Sequence, residues 1–300
     1  MSIRMEMLQV ARLAPMVLGE STALVADFLV SQQNQDGGFK DREGRSDLYY
    51  TVFGLEGLAA LRLEPRGSRV RAYLESFCEG DALDLVHLSC LARCWGCLTT
   101  GGPASERRDW AQRVAGRIEE FRSRDGGYHG TRNAATGSAY GAFLAVTAYQ
   151  DLGLCVPEVE RLVASLDALR TGDGAWTNSR EAPGAVGATN ATAGVIAALR
   201  ALGASFPVAT VRDWLLAQWH PQGGFRAAPG APLPDLLSTA TALHALALCG
   251  WDPAPWREAC LDFIDSLWTN TGGFHGHWAD DFVDCEYTFY GLLALGHLSL

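Results

Sequence analysis

The stretch Trp256–Phe274, WREACLDFIDSLWTNTGGF, decides how the chain folds. Cys260, Phe263, Ile264 and Leu267 recur at helical spacing, with Glu258, Asp262 and Asp265 between them. That pattern predicts a helix buried on one side and wet on the other. Gly272 and Gly273 end it, because glycine adopts backbone angles that a Cβ resists. Phe274 then stands where it can fold back over the turn.

The same turn recurs along the chain: Asp36-Gly37-Gly38-Phe39, Asp125-Gly126-Gly127-Tyr128, Asp173-Gly174-Ala175-Trp176, Gln222-Gly223-Gly224-Phe225 and Thr271-Gly272-Gly273-Phe274. Its aromatic residues stand at 39, 128, 176, 225 and 274. The last three intervals are 48, 49 and 49 residues, and the first, 89, is close to two periods. A degenerate copy is therefore expected near Glu79–Asp84, which makes six units. After each turn comes a polar loop, then a stretch that is apolar almost all round: Tyr49–Leu61, Ser138–Leu152, Thr189–Leu202, Ser238–Leu248 and Tyr287–Leu298. A helix apolar on every side must be buried on every side.

One-faced helices alternating with all-round ones fit two concentric rings, so the expected fold is all-α, an (α/α)6 toroid spanning 1–300 as a single domain. The competing architecture is an open stack of helix pairs. It would expose an inner face and need polar terminal caps, whereas Tyr287–Leu298 stays apolar close to the end of the sequence.

Composition sets the outer limits. The 300 residues are 48% hydrophobic and 19% charged, with a formal net charge of −10. An acidic chain is a poor partner for nucleic acid or anionic membrane. The start, Met1-Ser2-Ile3-Arg4-Met5-Glu6, has no apolar signal core. No apolar run approaches the ~20 residues of a spanning helix, so no transmembrane segment is expected and the expected location is cytoplasmic. The eight cysteines are expected to be reduced, small and mostly buried.

A Gly-Gly-aromatic turn between two helices at this period resembles the repeat of protein prenyltransferase β subunits and of squalene and terpene cyclases. The resemblance covers nearly the whole chain and is strongest to the β subunit of the type II (Rab) geranylgeranyltransferase. Two stretches carry it: Gly223-Gly224-Phe225 through Leu233-Pro234-Asp235, and Asp281-Phe282-Val283-Asp284 followed by Thr288-Phe289-Tyr290-Gly291. The resemblance implies a funnel whose apolar walls hold a prenyl chain, and a possible α-subunit-like protein partner. It also implies where that family's zinc would sit. Asp235 matches one ligand, but Leu237 holds the cysteine position and Tyr287 the histidine position. Zinc takes three or four N, S or O donors, so no zinc and no other cofactor is expected. The diphosphate clamp is thinned as well. Ala227-Ala228-Pro229-Gly230-Ala231-Pro232 replaces the stretch with the family's Arg and Lys, leaving Arg226; Ser238 replaces a Tyr, and the family's inner-helix His falls near Ala185.

Asp284-Cys285-Glu286-Tyr287-Thr288 resembles, at the equivalent place, the Asp-x-Asp-Asp-Thr acid of class II terpene cyclases. The resemblance makes Asp284 the first Asp and Glu286 the middle one, the proton donor, with Tyr287 in place of the last. A carboxylic acid at the mouth of an apolar cavity has its pKa raised by desolvation. The bland alternative is helix capping, and Asp47 stands at the corresponding point of the first unit. The candidate catalytic residues are thus Glu286, Asp284, Asp281 and Asp235. The candidates for ligand contact are Tyr49, Tyr50, Phe53, Tyr140, Arg226, Tyr287, Phe289 and Tyr290, several of which could face a carbocation or belong to the core.

Two further patterns point elsewhere. Cys90, Cys94 and Cys97 have the spacing of an iron–sulfur motif, but they interrupt a predicted helix, Asp84–Leu98, and are expected to be buried thiols. His275 and His277, with Asp280 and Asp281, could hold a metal or simply form a solvated loop. Asn190-Ala191-Thr192 is a glycosylation sequon inside an apolar helix and carries no meaning there. Three functions follow: an isoprenoid-handling protein of the prenyltransferase β-subunit type lacking the zinc site, a metal-free class II-like cyclase with Glu286 as acid, or a non-catalytic lipid- or protein-binding toroid.

Overall fold

A computed structural model describes residues 1–65, 67–98, 104–180 and 185–299. Outer helices bury one face. Arg257–Asp265 buries Cys260, Phe263 and Ile264, with Leu267 just beyond, as the amphipathic spacing requires. Thr22–Ser31, Gly67–Glu75, Ala104–Glu119, Val159–Asp167 and Val208–Leu216 occupy the same place in their units. Inner helices are Leu48–Ala60, Leu85–Cys97, Ala139–Leu152, Thr189–Ala201, Leu236–Leu248 and Cys285–His297. Each inner helix packs on the next, and Cys285–His297 returns to pack on Leu48–Ala60, so the ring is closed.

The glycine turns close the outer layer in the same order. At Gly223 the backbone sits at φ +91°, and a Cβ there would lie 2.1 Å from the Ala259 carbonyl oxygen of the next outer helix. At Gly272, φ +94°, it would lie 2.1 Å from the Leu24 carbonyl oxygen, so the last turn docks on the first outer helix. Only glycine tolerates both the left-handed angle and the approach. Each turn's aromatic then plugs the gap between layers: Phe39, Tyr128 and Phe225 are fully buried and Trp176 and Phe274 nearly so, worth about 1.5–3 kcal/mol apiece.

Threonines fix these aromatics in four of the units. The backbone N–H groups of Phe39, Trp176, Phe225 and Phe274 donate to Thr51, Thr192, Thr239 and Thr288 Oγ1 at 2.9, 3.1, 3.0 and 3.4 Å. The loops between are less irregular than the sequence suggests: Phe39–Lys40 pairs antiparallel with Ser46–Asp47, and Phe225–Arg226 with Pro234–Asp235. The degenerate copy lies where expected. Helices Gly67–Glu75 and Leu85–Cys97 are joined by a short turn with Gly80 at φ +79°.

The N-terminal helix, Ile3–Ala11, lies outside both rings and stops one end. Arg4 Nε donates to Asp151 Oδ1 at 2.7 Å and its Nη2 to the Gly96 carbonyl at 3.0 Å, while the Ile3 N–H donates to Gln150 Oε1 at 3.0 Å. These partners sit at the C-terminal ends of inner helices, so the open end is the one where the inner helices start. The expectation that no run is long enough to span a membrane is corrected here. Ile3–Ser31 is a helical run of 29 residues with mean hydropathy 1.5, long and apolar enough by length and composition. Polar breaks hid it from a search for unbroken apolar runs. It is made of separate helical pieces, and its Ile3, Met7, Leu8, Ala11, Val25, Phe28 and Leu29 are buried in the protein.

Candidate active site

Inside the inner ring is a cavity of about 480 Å³, within the range of ligand pockets. Residues spaced three and four apart on the inner helices face it: Tyr49, Val52 and Phe53; Ser89, Cys90 and Arg93; Tyr140, Phe143 and Leu144; Asn190, Ala193, Gly194 and Ala197; Leu237, Thr241 and His244; Glu286, Tyr290 and Leu293. Small residues on Thr189–Ala201 make room for a ligand where bulkier ones would fill the centre. Ile3 and Met7 of the N-terminal helix form the floor. Tyr49, Tyr140, Asn190, Leu237 and Glu286, from the first turns of their helices, surround the mouth.

Glu286 is the cavity's unusual group. It lies one residue into its helix, with Tyr49 Oη donating to its Oε1 at 2.5 Å. Desolvation pushes its carboxyl up to about 7; neighbouring Asp284 adds to the rise, while the Tyr49 hydrogen bond and the Arg42 charge hold it down. Burial raises the Tyr49 phenol further above its ordinary value, so it stays a donor. Tyr49, Phe53 and Tyr290 form an aromatic corner beside the acid, with ring centroids 5.0 Å apart for Tyr49 and Phe53 and 5.5 Å for Phe53 and Tyr290. Such a corner presents negative ring faces to a cation.

The structure thus brings Glu286, Tyr49, Phe53, Tyr140 and Tyr290 to one cavity and places the other candidates outside its lining. Asp284 caps its helix, accepting from the Tyr287 N–H at 3.0 Å, and meets Arg42 Nε at 3.1 Å. Asp235 is also a cap, accepting from the Ser238 N–H and Oγ, both at 2.7 Å. Asp47 and Asp84 cap the corresponding helices, so the repeat itself explains these four aspartates. Asp281 is exposed on the loop before the last inner helix. Tyr50 packs edge-on to Tyr49 at 5.6 Å, beside the Arg42–Asp284 pair rather than the cavity. Tyr287 lies over Gly276, with the Arg42 guanidinium 5.7 Å from its ring centroid. Arg226 turns away to bond the Trp219 carbonyl at 2.7 Å. Phe289 is fully buried in the wall behind the lining, its ring centroid 6.0 Å from that of Phe53.

The residues present do not fit zinc. Asp235 serves the backbone, Leu237 faces the cavity and Tyr287 stacks under a cation. Among the described residues no three or more His, Cys, Asp or Glu side chains are grouped to hold a metal ion. His275 Nδ1 lies 3.1 Å from the Phe282 carbonyl, and His277 Nδ1 accepts from the Ala279 N–H at 3.1 Å, so this loop's imidazoles shape its own turns. Cys90 and Cys94 are buried in the helix Leu85–Cys97, and burial raises both thiols; it pushes Cys97 up to about 12. They sit as thiols along one helix of the wall.

Sequence reasoning missed Arg93, Glu56 and His244. Each is a polar residue inside an otherwise apolar inner helix, and that interruption was the available signal. Arg93 lines the cavity but is neutralised, with Nε and Nη2 bonding the two Glu56 carboxylate oxygens at 2.7 and 2.5 Å. At the mouth, Arg42 is shared between Asp280 and Asp284 at 3.3 and 3.1 Å. These positive charges are matched by carboxylates and leave little field for a diphosphate.

Comparison with known proteins places the geometry in a family. No match is found among curated proteins. Among solved structures, the type II terpene cyclase MstE from Scytonema, in a variant holding merosterolic acid A as product, is similar over 98% of this chain and 97% of its own, with a TM-score of 0.64 at 15% identity. An α-1,6-mannanase from Salegentibacter is similar over 93% and 98%, with a TM-score of 0.62 at 12% identity. Likenesses this remote establish the fold alone, and a cyclase and a mannanase on one ring show how little the fold decides chemistry. The sequence model of the prenyltransferase alpha-alpha toroid domain matches residues 17–87 and 193–299, most of the length over which the two rings close. The chain therefore belongs to the prenyltransferase alpha-alpha toroid domain family.

Proposed function

We propose that this protein binds a neutral polyprenyl chain in its central cavity and rearranges it by protonation, with Glu286 as the acid, in a metal-free reaction of the class II cyclase type. The observation that carries this reading is one half-buried carboxyl that lines an apolar cavity, takes a hydrogen bond from a phenol, stands beside an aromatic corner and is raised to about 7. Such a group keeps its proton near neutral pH and so stands ready as a general acid beside the place a double bond would lie.

In the first step the Glu286 O–H bond breaks and its proton adds to a terminal double bond, leaving a tertiary cation. The Tyr49 hydroxyl donates to the carboxylate that forms. Neighbouring double bonds then attack the cation in turn, making ring bonds, while the faces of Tyr49, Phe53 and Tyr290 disperse the charge. Loss of a proton ends the sequence and leaves an isomer. Zinc-dependent transfer to a thiol is disfavoured because the metal position is occupied by a cap, a leucine and a stacked tyrosine. A solved MstE variant holds geranylgeranyl dihydroxybenzoate as substrate, which makes that compound a sensible probe.

The test is Glu286→Gln, assayed with geranylgeraniol and geranylgeranyl dihydroxybenzoate by mass spectrometry. Turnover should fall about a thousandfold while the chain still binds in native mass spectrometry. Undiminished conversion by the variant would overturn the reading. Wild-type protein that binds the chain and leaves it unchanged would be a lipid-binding toroid instead.

A further inference from the structure

His244 interrupts the apolar run of Leu236–Leu248 and lines the cavity wall. Its residue is 8% exposed, and its Nε2 is buried without a hydrogen-bond partner. On the opposite side of the ring, Nδ1 lies 3.1 Å from His297 Nε2. His297 is 4% exposed and borders a second, peripheral pocket of about 220 Å³, together with Trp251, Asp252 and Pro253. Two imidazoles in line therefore connect the central cavity to a separate pocket across the ring wall. Buried polar atoms normally find partners, and this Nε2, almost without exposed surface, has none.

The charge state suits a base. Desolvation lowers His244 to about 4, with Arg200 adding to the effect, and lowers His297 to about 3, with His244 adding. Both rings are neutral near pH 7. Depth suits it too. Glu286 lies in the first turn of its helix, whereas His244 lies in the third turn of the helix beside it. At 1.5 Å per residue the two differ by about 10 Å along the cavity, with the acid near the mouth and the imidazole toward the floor.

Resting on the proposed cyclisation, we propose that His244 Nε2 takes the proton that ends it and that His297 passes that proton to the peripheral pocket. The C–H bond next to the last cation breaks, and its electron pair becomes the product's double bond. The proton goes to His244 Nε2, the Nδ1 proton of His244 moves to His297 Nε2, and His297 releases its Nδ1 proton to water. Glu286 regains a proton from solvent at the mouth. Nothing is oxidised or reduced, and substrate and product are isomers. A neutral imidazole pair also keeps water away from the cation at the floor, which would otherwise be captured as an alcohol.

The experiment compares wild type, His244→Leu, His297→Leu and Glu286→Gln on geranylgeraniol and geranylgeranyl dihydroxybenzoate, with products identified by gas chromatography–mass spectrometry. Wild type should give one dominant alkene. His244→Leu should still consume substrate, because the acid is intact, yet the dominant isomer should fall to about a tenth of the products in favour of other double-bond isomers and hydrated products. His297→Leu lies outside the cavity lining, so it tests the relay should His244→Leu not fold, and it should shift the products the same way. Unchanged products from the folded His variants, with Glu286→Gln inactive, would overturn the His244 proposal and leave the acid standing. A wild-type product that has mainly gained a molecule of water would also overturn it. No conversion by wild type would overturn both.

Discussion

Two glutamates on neighbouring inner helices sit in opposite surroundings. Glu56, toward the floor, is fully buried and clamped by Arg93 through two hydrogen bonds. Glu286, toward the mouth, meets one phenol and no direct cation. The floor as a whole is ion-paired: Arg4 joins the N-terminal helix to Asp151, whose burial still pushes it up to about 6 against the pull of Arg4 and Arg93. A paired buried charge keeps its charge and holds helices together; an unpaired one gives up its charge and holds a proton. Residue type is the same at both; Glu56 is fully buried and Glu286 half-buried, and an opposing guanidinium is what Glu56 has and Glu286 lacks.

That contrast can be broken at either end. The largest effect is the loss of turnover in Glu286→Gln, with little change in stability. Next comes Arg93→Met, which strands Glu56 and should destabilise the protein by about 3–5 kcal/mol in urea denaturation. The double variant Arg93→Met/Glu56→Leu should recover most of that loss. A fully stable Arg93→Met would show that the floor pair is not structural.

The pH dependence sharpens the other end. Because burial pushes the folded carboxyl up to about 7 from its ordinary 4.5, the acid form is present below about 7. Turnover should be flat there and fall about tenfold per unit above it. Stability follows the same sign: the contribution of neutral Glu286 is complete below about 4.5 and is lost as pH rises through 7. Tyr49→Phe removes a hydrogen bond that favours the carboxylate, so the alkaline limb should move up by about half a unit to one unit, with turnover reduced about tenfold. A limb that stays put or moves down would detach Tyr49 from the acid. The smallest effect belongs to Asp235→Ala. As a helix cap it should cost about 1 kcal/mol of stability, read in thermal denaturation, and leave turnover intact. A large loss of turnover would return Asp235 to the chemistry.

Much of this molecule was legible before any coordinates. The glycine turns, the one-faced Arg257–Asp265 helix and the degenerate copy near Glu79–Asp84 are local patterns repeated along the chain, and repetition exposes them. Asp47 and Asp284 announced their shared capping role by standing at equivalent points. Within the site, Glu286, Tyr49, Phe53, Tyr140 and Tyr290 could be named from the start, but so were Tyr50, Phe289, Tyr287 and Arg226, which point elsewhere. An all-round apolar helix carries no amphipathic stripe, so its sequence does not say which side faces the hollow centre.

The sequence alone determined the period, the alternation of helix types and the places where the backbone must turn, because these depend on residues a few positions apart. Tertiary structure decided which side chains meet: Tyr49 with Glu286 across 237 residues, Arg93 with Glu56 across 37, His244 with His297 across 53. It also decided that the N-terminal helix, which belongs to no repeat, becomes the floor. The first pairing arises only when the last inner helix returns to the first, and the other two depend on how each inner helix is rotated against the next.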